Sequence, residues 1–283
     1  MVNSDDKKER WTVRDVLKWT STRFSEIGLP SARLDAELLI ALALDIDRVG
    51  VYLEMDRPLT SEERKVLRGY ISRRIKHEPV AYITGKKEFY GIEFSVDHRV
   101  LIPRPDTEFL VEEVIGICGE RKTVLDIGTG SGAIAISLKN SKPELNITAV
   151  DISTAALDAA VENAKRNNVM IEFLVSDLFS SCEGRKFDII VSNPPYIPNG
   201  EVLMDDVLFE PELALRSGDD GLDCIRKIIG HAPYFLNDGG VLALECAYNQ
   251  TEKVASLLSD SFKDIVTISD LGGNPRVVRG LLR

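Results

Sequence analysis

Apolar side chains recur every three to four residues along the first eighty positions, which is the spacing of amphipathic helices. The first such face comprises Val13, Val16, Leu17, Thr20, Phe24 and Ile27, and the second comprises Leu34, Leu38, Leu39 and Leu42. Gly28-Leu29-Pro30 lies between them, where glycine and proline are expected to end a helix. The pattern predicts a small helical domain.

A third helix is predicted to begin at Thr60, because Thr60 and Glu63 have the spacing of a capping box. Its inward face comprises Val66, Leu67, Tyr70, Ile71 and Ile75, and its other face comprises Arg64, Lys65, Arg68, Arg73, Arg74 and Lys76. A run of cations on a helix is usually a solvated surface. The alternative is a contact for an acidic partner or for RNA.

Between residues 88 and 101 the pattern changes, because aromatic and β-branched residues surround Gly91 and Asp97-His98. This arrangement predicts a β-hairpin. The segment Pro103-Arg104-Pro105-Asp106-Thr107 is expected to end the hairpin and to cap the next helix. We expect the hinge between two domains here.

Apolar strands alternate with helical segments from residue 123 onward. The predicted strands are 123–126, 146–151, 171–176, 187–192 and 241–246, and the predicted helices begin near 132, 153 and 223. Such repeats imply a parallel sheet covered on both faces, and segments 265–269 and 276–282 predict an antiparallel end to it. The predicted domains are helical residues 1–86, a hairpin hinge at 87–106 and an α/β domain at 107–283.

The charge is unevenly distributed along the chain. Residues 1–90 contain 17 Lys and Arg against 15 Asp and Glu, whereas the remaining residues contain 18 against 30. The acidic second part is a poor match for DNA or RNA phosphates, which need clustered cations. No apolar run reaches the ~18 residues of a membrane span, the N-terminus lacks a secretory apolar core, and the four cysteines lack metal-ligand spacing. We expect a cytoplasmic protein without a metal, a membrane or DNA as a partner.

A glycine-rich segment, Gly128-Thr129-Gly130-Ser131-Gly132, joins the strand that carries Asp126 to the next helix. Ligands of open α/β sheets bind beyond the carboxyl ends of the strands, and glycines allow a ligand to approach the backbone. The N–H groups of the helix could hold a phosphate, but Asp126 would repel one and attract a cation. This favours a sulfonium cofactor over a dinucleotide, with the glycine-rich segment and Asp126 as its contacts.

Two further acids follow the neighbouring strands. Asp151 ends the next strand, where a carboxylate can accept both hydroxyls of a ribose, in S-adenosylmethionine and NAD alike. Asp177 and Leu178, after the third strand, are predicted to border the adenine, with Asp177 accepting from its exocyclic amine. The alternative role of Asp177 is a structural cap.

The segment Asn193-Pro194-Pro195-Tyr196 follows a strand at the same sheet edge. Prolines donate no hydrogen bonds, so their carbonyls are pure acceptors, and Asn193 adds a side-chain carbonyl. Together they can hold an –NH2 group by both hydrogens while Tyr196 packs on its planar face. Because both N–H bonds are then held out of the conjugated plane, the nitrogen can attack a methyl group without a strong base. The segment predicts an acceptor site for a planar amide or amine, with Asn193, Pro194 and Tyr196 as catalytic residues.

The chain resembles the bacterial peptide chain release factor glutamine methyltransferases over about residues 10–283. Besides the acceptor motif, the resemblance rests on residues 79–85 (PVAYITG), 88–91 (EFYG), 101–108 (LIPRPDTE) and the stretch from Glu210-Pro211 to Gly221-Leu222. It implies a class I, Rossmann-like α/β methyltransferase with a mostly parallel seven-stranded sheet and a small helical N-terminal domain that docks the release factor. The implied reaction is N5-methylation of the glutamine in a Gly-Gly-Gln motif by S-adenosylmethionine.

The resemblance also implies roles for individual residues. Gly128 to Gly132, Asp151 and Leu178 would bind the cofactor, and Arg104 would line the cleft. Asn193 to Tyr196 would hold the glutamine amide, with Asn193 also touching the cofactor. The sequence departs from the family pattern at Cys246-Ala247, where a glycine usually follows Leu-Glu.

Other classes of protein explain these motifs less completely. Adenine-N6 and cytosine-N4 DNA methyltransferases use a similar acceptor motif, but they need a basic face, a target-recognition region and base flipping. A methyltransferase that acts on a ribosomal-protein glutamine shares the motif and is a second alternative. An NAD oxidoreductase would explain the glycine-rich segment but not Asn193 to Tyr196, and a non-enzymatic binding module would require both sites to be relics.

Overall fold

The computed structural model describes residues 10–120 and 122–283, which form two compact units. The first unit contains the described residues up to Gly85 together with Asp205–Phe209, and the second contains Lys86–Met204 and Glu210–Arg283. Within the described ranges, every helix is too short or too polar to cross a membrane.

The first unit is helical, as the apolar spacing predicts. Its helices are α1 (Val13–Glu26), α2 (Ala32–Leu44), α3 (Arg48–Leu53), α4 (Ser61–Ile75) and α5 (Val80–Thr84). Thr60 and Glu63 form the predicted capping box at the start of α4. The sequence pattern does not reveal α3 and α5, because helices of five or six residues are too short to show a periodicity.

The basic face of α4 differs from the prediction at Arg74. This side chain is buried and forms 2.8 Å ion pairs with Asp35 and with Asp206. Val66 was predicted to face inward but is 37% exposed. The prediction of one continuous solvated face is therefore wrong at Arg74, since a buried guanidinium needs carboxylate partners that only the tertiary fold supplies.

The second unit begins with the predicted hairpin, formed by β1 (Lys86–Phe89) and β2 (Ile92–Ser95). The other strands are β3 (Thr123–Ile127), β4 (Asn146–Asp151), β5 (Glu172–Val175), β6 (Phe187–Ser192), β7 (Leu236–Glu245), β8 (Phe262–Ser269) and β9 (Pro275–Leu282). The helices of this unit are α6 (Glu108–Cys118), α7 (Ala133–Ser141), α8 (Thr154–Arg166), α9 (Asp223–Phe235) and α10 (Thr251–Leu258).

The described strands β3 to β9 form one seven-stranded sheet in the order β5-β4-β3-β6-β7-β9-β8. The first five of these strands in the order are parallel, and β9 pairs antiparallel with both β7 and β8. The predicted α/β fold with an antiparallel end is therefore confirmed. The strand order reverses direction between β3 and β6, and such a switch point opens a crevice at the carboxyl ends of the strands.

Candidate active site

The glycine-rich segment leaves β3 at this switch point. Gly128 and Gly130 have φ values of +71° and +55°, a region that favours glycine, and the N–H of Gly128 donates to the carbonyl of Val150 at 2.8 Å. Gly132 has a different role, because a Cβ there would lie 2.9 Å from Ile136 Cδ1 and 3.3 Å from Ala160 Cβ. Gly128 and Gly130 line the cavity at this edge of the sheet. Gly132 instead lets α7 pack closely against α8.

Asp126 lies behind the segment rather than at its surface. It is fully buried, and its Oδ2 accepts a 2.6 Å hydrogen bond from Thr129 Oγ1. Burial raises the pKa of Asp126 to about 7, because desolvation disfavours the charged form. The Asp126 side chain thus holds the turn from within through Thr129, and its contact with the cofactor stays a prediction.

Asp151 lies at the end of β4 with both of its oxygens oriented. Oδ2 accepts from the N–H of Gly130 and Oδ1 accepts from the N–H of Ser153, each at 2.9 Å. Burial raises the pKa of this carboxyl. Each carboxylate oxygen has a further lone pair, so Asp151 is held in place and can still accept from a pair of hydroxyls.

A cavity of about 360 Å³ opens at this edge of the sheet. Its lining includes eight residues of the predicted site, namely Gly128, Gly130, Asp151, Asp177, Leu178, Asn193, Pro194 and Pro195. Six predicted site residues are not part of the lining: Arg104, Asp126, Thr129, Ser131, Gly132 and Tyr196. The structure thus brings the ribose, adenine and acceptor candidates to one cavity. Cofactor contact by Arg104, Asp126, Thr129, Ser131 and Gly132 stays a prediction.

The same cavity is also lined by residues that the sequence does not predict, among them Val100, Ile152 and Cys224. Ile152 directly follows Asp151 and is 50% exposed. Its position directly after a strand-ending acid, at the carboxyl edge of the sheet where ligands bind, is the signal that the sequence offers. Val100 and Cys224 come from distant segments and carry no such local signal.

Leu178 adopts a left-handed backbone conformation with φ +50°, which is uncommon outside glycine. Its carbonyl accepts a 2.9 Å hydrogen bond from Ser176 Oγ. Asp177 is exposed at the cavity and its N–H donates to Ser180 Oγ at 3.1 Å. Strained residues of this kind persist where the surroundings hold them, often at ligand sites.

The acceptor motif begins directly after β6. The Nδ2 of Asn193 donates to Thr107 Oγ1 at 3.1 Å, which leaves the side-chain carbonyl of Asn193 as the acceptor at the cavity wall. The Tyr196 hydroxyl lies 3.5 Å from Glu245 Oε1. Thr107 was expected to cap α6, but its side chain forms no capping hydrogen bond and contacts Asn193 instead.

The backbone of Tyr196 is held from the opposite side. Gln250 Nε2 donates to the carbonyl of Tyr196 at 2.9 Å and to that of Asp220 at 3.2 Å. The departure at Cys246-Ala247 leaves this contact intact, because Cys246 is buried and the N–H of Ala247 donates to Gln250 Oε1. The packing of Tyr196 against a substrate stays a prediction.

Arg104 lies near the acceptor motif and not at the cavity. It forms an ion pair with Glu210, a buried carboxylate that also accepts from the N–H of Ile102 at 3.0 Å. The positive charge of Arg104 lowers the pKa of Tyr196, although burial is the larger effect and raises that pKa overall. The Glu210 carboxylate thus holds both Arg104 and the backbone of Ile102, and the charge of Arg104 lowers the pKa of Tyr196.

Gly221→Ala is expected to lower the turnover number about tenfold and to cost about 1–2 kcal/mol more stability than its control. Gly221 has φ +76°, and an added Cβ would lie 2.1 Å from the Tyr196 carbonyl oxygen. Gly184→Ala is the matched control, because Gly184 has φ +74° with open space around it. Steady-state kinetics and urea unfolding compare the two variants. If both variants changed turnover and stability equally, the close approach of Gly221 to the Tyr196 carbonyl would be unimportant.

Comparisons with known proteins find matches to both units of the chain. A model of the PrmC N-terminal domain matches residues 15–85, and a model of the methyltransferase small domain matches residues 105–273. A release factor glutamine methyltransferase of Geobacter sulfurreducens is 43% identical over 97% of this chain and 98% of its own length. A second one, of Rhodopirellula baltica, is 42% identical over 95% of each chain.

The solved structures support the fold of the second unit. The 16S rRNA N2 G1207 methyltransferase of Thermus thermophilus, solved with AdoMet and guanosine, has a TM-score of 0.53 and 22% identity. The match covers 70% of this chain and 50% of that one. At this identity the likeness shows a methyltransferase fold, whereas the two relatives extend over nearly the whole chain. The chain belongs to the release factor glutamine methyltransferase family.

Proposed function

We propose that this protein transfers the methyl group of S-adenosylmethionine to the side-chain amide nitrogen N5 of the glutamine in the Gly-Gly-Gln motif of peptide chain release factors. We propose the cytoplasm as the place of this reaction. The observation that carries the proposal is the cavity itself. One wall presents the oriented carboxylate of Asp151, and another presents the side-chain carbonyl of Asn193 with Pro194 and Pro195.

The residues at the cavity fit S-adenosylmethionine. Asp151 offers two fixed acceptors for the ribose hydroxyls, and Gly128 and Gly130 leave backbone without side chains for the amino-acid part. Ile152 and Leu178 supply apolar surface for the adenine, beside Asp177. When bound, the cofactor supplies an electrophilic methyl group on a sulfonium.

The acceptor side fits a primary amide. The lone pair of an amide nitrogen is delocalised, so the site has to orient the group rather than deprotonate it. Asn193 contributes a carbonyl acceptor whose direction is fixed by the Nδ2 contact to Thr107. No hydrogen bond to the Pro194 carbonyl is found among the described residues, so that oxygen can accept the second N–H. Two fixed acceptors hold both hydrogens, and the nitrogen lone pair is then directed away from them.

The helical residues 1–86 are the part of the chain to which we assign docking of the release factor, with residues 87–106 as a hinge. In support, α3 carries the exposed apolar residues Val49, Tyr52 and Leu53, and apolar side chains clustered at a surface often mark a protein contact. The basic residues Arg64 and Lys65 on α4 add positive charge to this unit.

Methyl transfer to three acceptors in parallel tests the proposal. Purified enzyme is incubated with methyl-labelled S-adenosylmethionine and a release factor, a ribosomal protein or duplex DNA, and incorporated label is counted. We expect label in the release factor alone. Label in the ribosomal protein but not in the release factor would show that the proposed substrate is wrong. Label in DNA would contradict protein methylation.

A further inference from the structure

Glu245, at the end of β7, is a buried carboxylate placed directly behind the acceptor motif. It is 1% exposed, and it forms no ion pair with any residue that the structure describes. Its Oε1 lies 3.5 Å from the Tyr196 hydroxyl, and its Oε2 has no hydrogen-bond partner within the described ranges. A buried carboxylate with one oxygen unpartnered costs stability. A role at the acceptor site would explain why this carboxylate is buried beside Tyr196.

Thr107 connects this carboxylate with Asn193. The hydroxyl of Thr107 stabilises the charged form of Glu245, and the same oxygen accepts from Asn193 Nδ2 at 3.1 Å. A hydroxyl has one hydrogen to donate. When that hydrogen is directed to the carboxylate, only lone pairs face Asn193, so the amide must present its –NH2 to Thr107. The carbonyl of Asn193 is then directed to the cavity.

We infer that Glu245 is a positioning residue for methyl transfer, which acts through Thr107 on the amide orientation of Asn193 and directly on the hydroxyl of Tyr196. This inference rests on the proposed function, because it assigns a purpose to the direction of the Asn193 carbonyl. Glu245 itself does not line the cavity.

The ionisation of Glu245 makes the inference testable by pH. Burial raises its pKa to about 7, with Asp106 acting in the same direction and Thr107, Tyr196 and Arg276 opposing it. Burial and then the charge of Glu245 raise the pKa of Cys246. Burial also raises the pKa of Tyr196, and the charge of Arg104 opposes that rise. Because the Thr107 hydroxyl stabilises the ionised form of Glu245, the competent arrangement is present above this pKa. It is lost as the pH falls through about 7, when a protonated Glu245 can donate to Thr107 instead.

Three variants test the chain of contacts. We expect Glu245→Gln and Thr107→Val to lower kcat about tenfold while the Kd for S-adenosylmethionine changes less than about twofold. Thr107→Ser keeps the hydroxyl and should restore most of the rate. Glu252→Gln, on the exposed surface of α10, is the matched control with unchanged kcat.

In the wild type kcat should fall below about pH 7, and this fall should be absent in Glu245→Gln.

A second measurement does not depend on the acceptor. In enzyme labelled with [15N]asparagine, the Asn193 side-chain signal is assigned by its absence in Asn193→Ala, and exchange of its hydrogens with water is measured by NMR. We expect exchange about tenfold faster in Thr107→Val and Glu245→Gln than in the wild type, and near wild-type exchange in Thr107→Ser. If Glu245→Gln left both exchange and the pH profile unchanged, the inference would be wrong. If the wild type methylated no release factor, the proposed function would fail, and the exchange rates would still decide the role of Glu245.

Discussion

Replacing Asn193 by alanine is expected to lower the turnover number by about 10²–10³-fold, the scale of removing one oriented hydrogen-bonding group from an active site. The variant loses the carbonyl at the cavity wall together with the Nδ2 contact to Thr107. The substrate amide can then rotate back into its conjugated plane, in which its nitrogen is a poor nucleophile. Kinetics with a release factor as acceptor measure the loss.

The affinity for S-adenosylmethionine should largely survive in the same variant, because Asp151 and the glycine-rich segment are untouched. Calorimetry separates the two effects. Asn199→Ala, with an exposed side chain six residues further along, is the matched control and should retain turnover. Near-native turnover in Asn193→Ala would remove this residue from the acceptor site.

Replacing Asp151 by alanine is expected to weaken binding of S-adenosylmethionine by about 1.5–3 kcal/mol, the scale of lost hydrogen bonds to a charged group. This corresponds to a Kd about 10–150-fold higher. Asp151 accepts from the N–H groups of Gly130 and Ser153, so its removal also frees the backbone that shapes the cavity. Calorimetric titration with the cofactor gives the Kd directly.

Asp158→Ala is the control for this prediction, since Asp158 lies exposed on α8. It removes one carboxylate from the helix that follows Asp151 without touching the cavity. An unchanged Kd in Asp151→Ala, or an equal change in both variants, would show that Asp151 makes no specific contact with the cofactor.

The α/β sheet was predictable because its strands are buried on both faces and read as apolar runs. Strands β4 and β6 have the predicted bounds, and the antiparallel end formed by β8 and β9 is also confirmed. The insertion of β9 between β7 and β8 was not predictable, because strand order depends on pairings between distant segments. Helix α10 was not predicted for a different reason, because a helix of eight residues shows little periodicity.

The positions that end strands were the most predictable part of the candidate site. Asp151 ends β4 and Asn193 follows β6, and the carboxyl ends of parallel strands lie at one edge of the sheet. The depth of a side chain was not predictable. Asp126 and Thr129 hydrogen-bond to each other inside the turn, although the same sequence would fit an exposed loop.

Long-range polar contacts also escape sequence analysis. Thr107 reads as a helix cap, but its partner Asn193 is 86 positions away. The sequence pattern predicts Arg74 as one cation of a solvated face, but its side chain is buried and pairs with Asp35. In both cases the local pattern is compatible with two roles, and only a partner from a distant part of the chain selects between them.

Mass spectrometry of a release factor incubated with this enzyme and S-adenosylmethionine tests the central claim most directly. After proteolysis, the peptide that carries the Gly-Gly-Gln motif should gain the mass of one methylene group, and fragmentation should place it on the glutamine side chain. The same peptide from an incubation with Asn193→Ala should be unmodified. An unmodified glutamine after incubation with active wild-type enzyme, or a methyl group on another residue, would contradict the account.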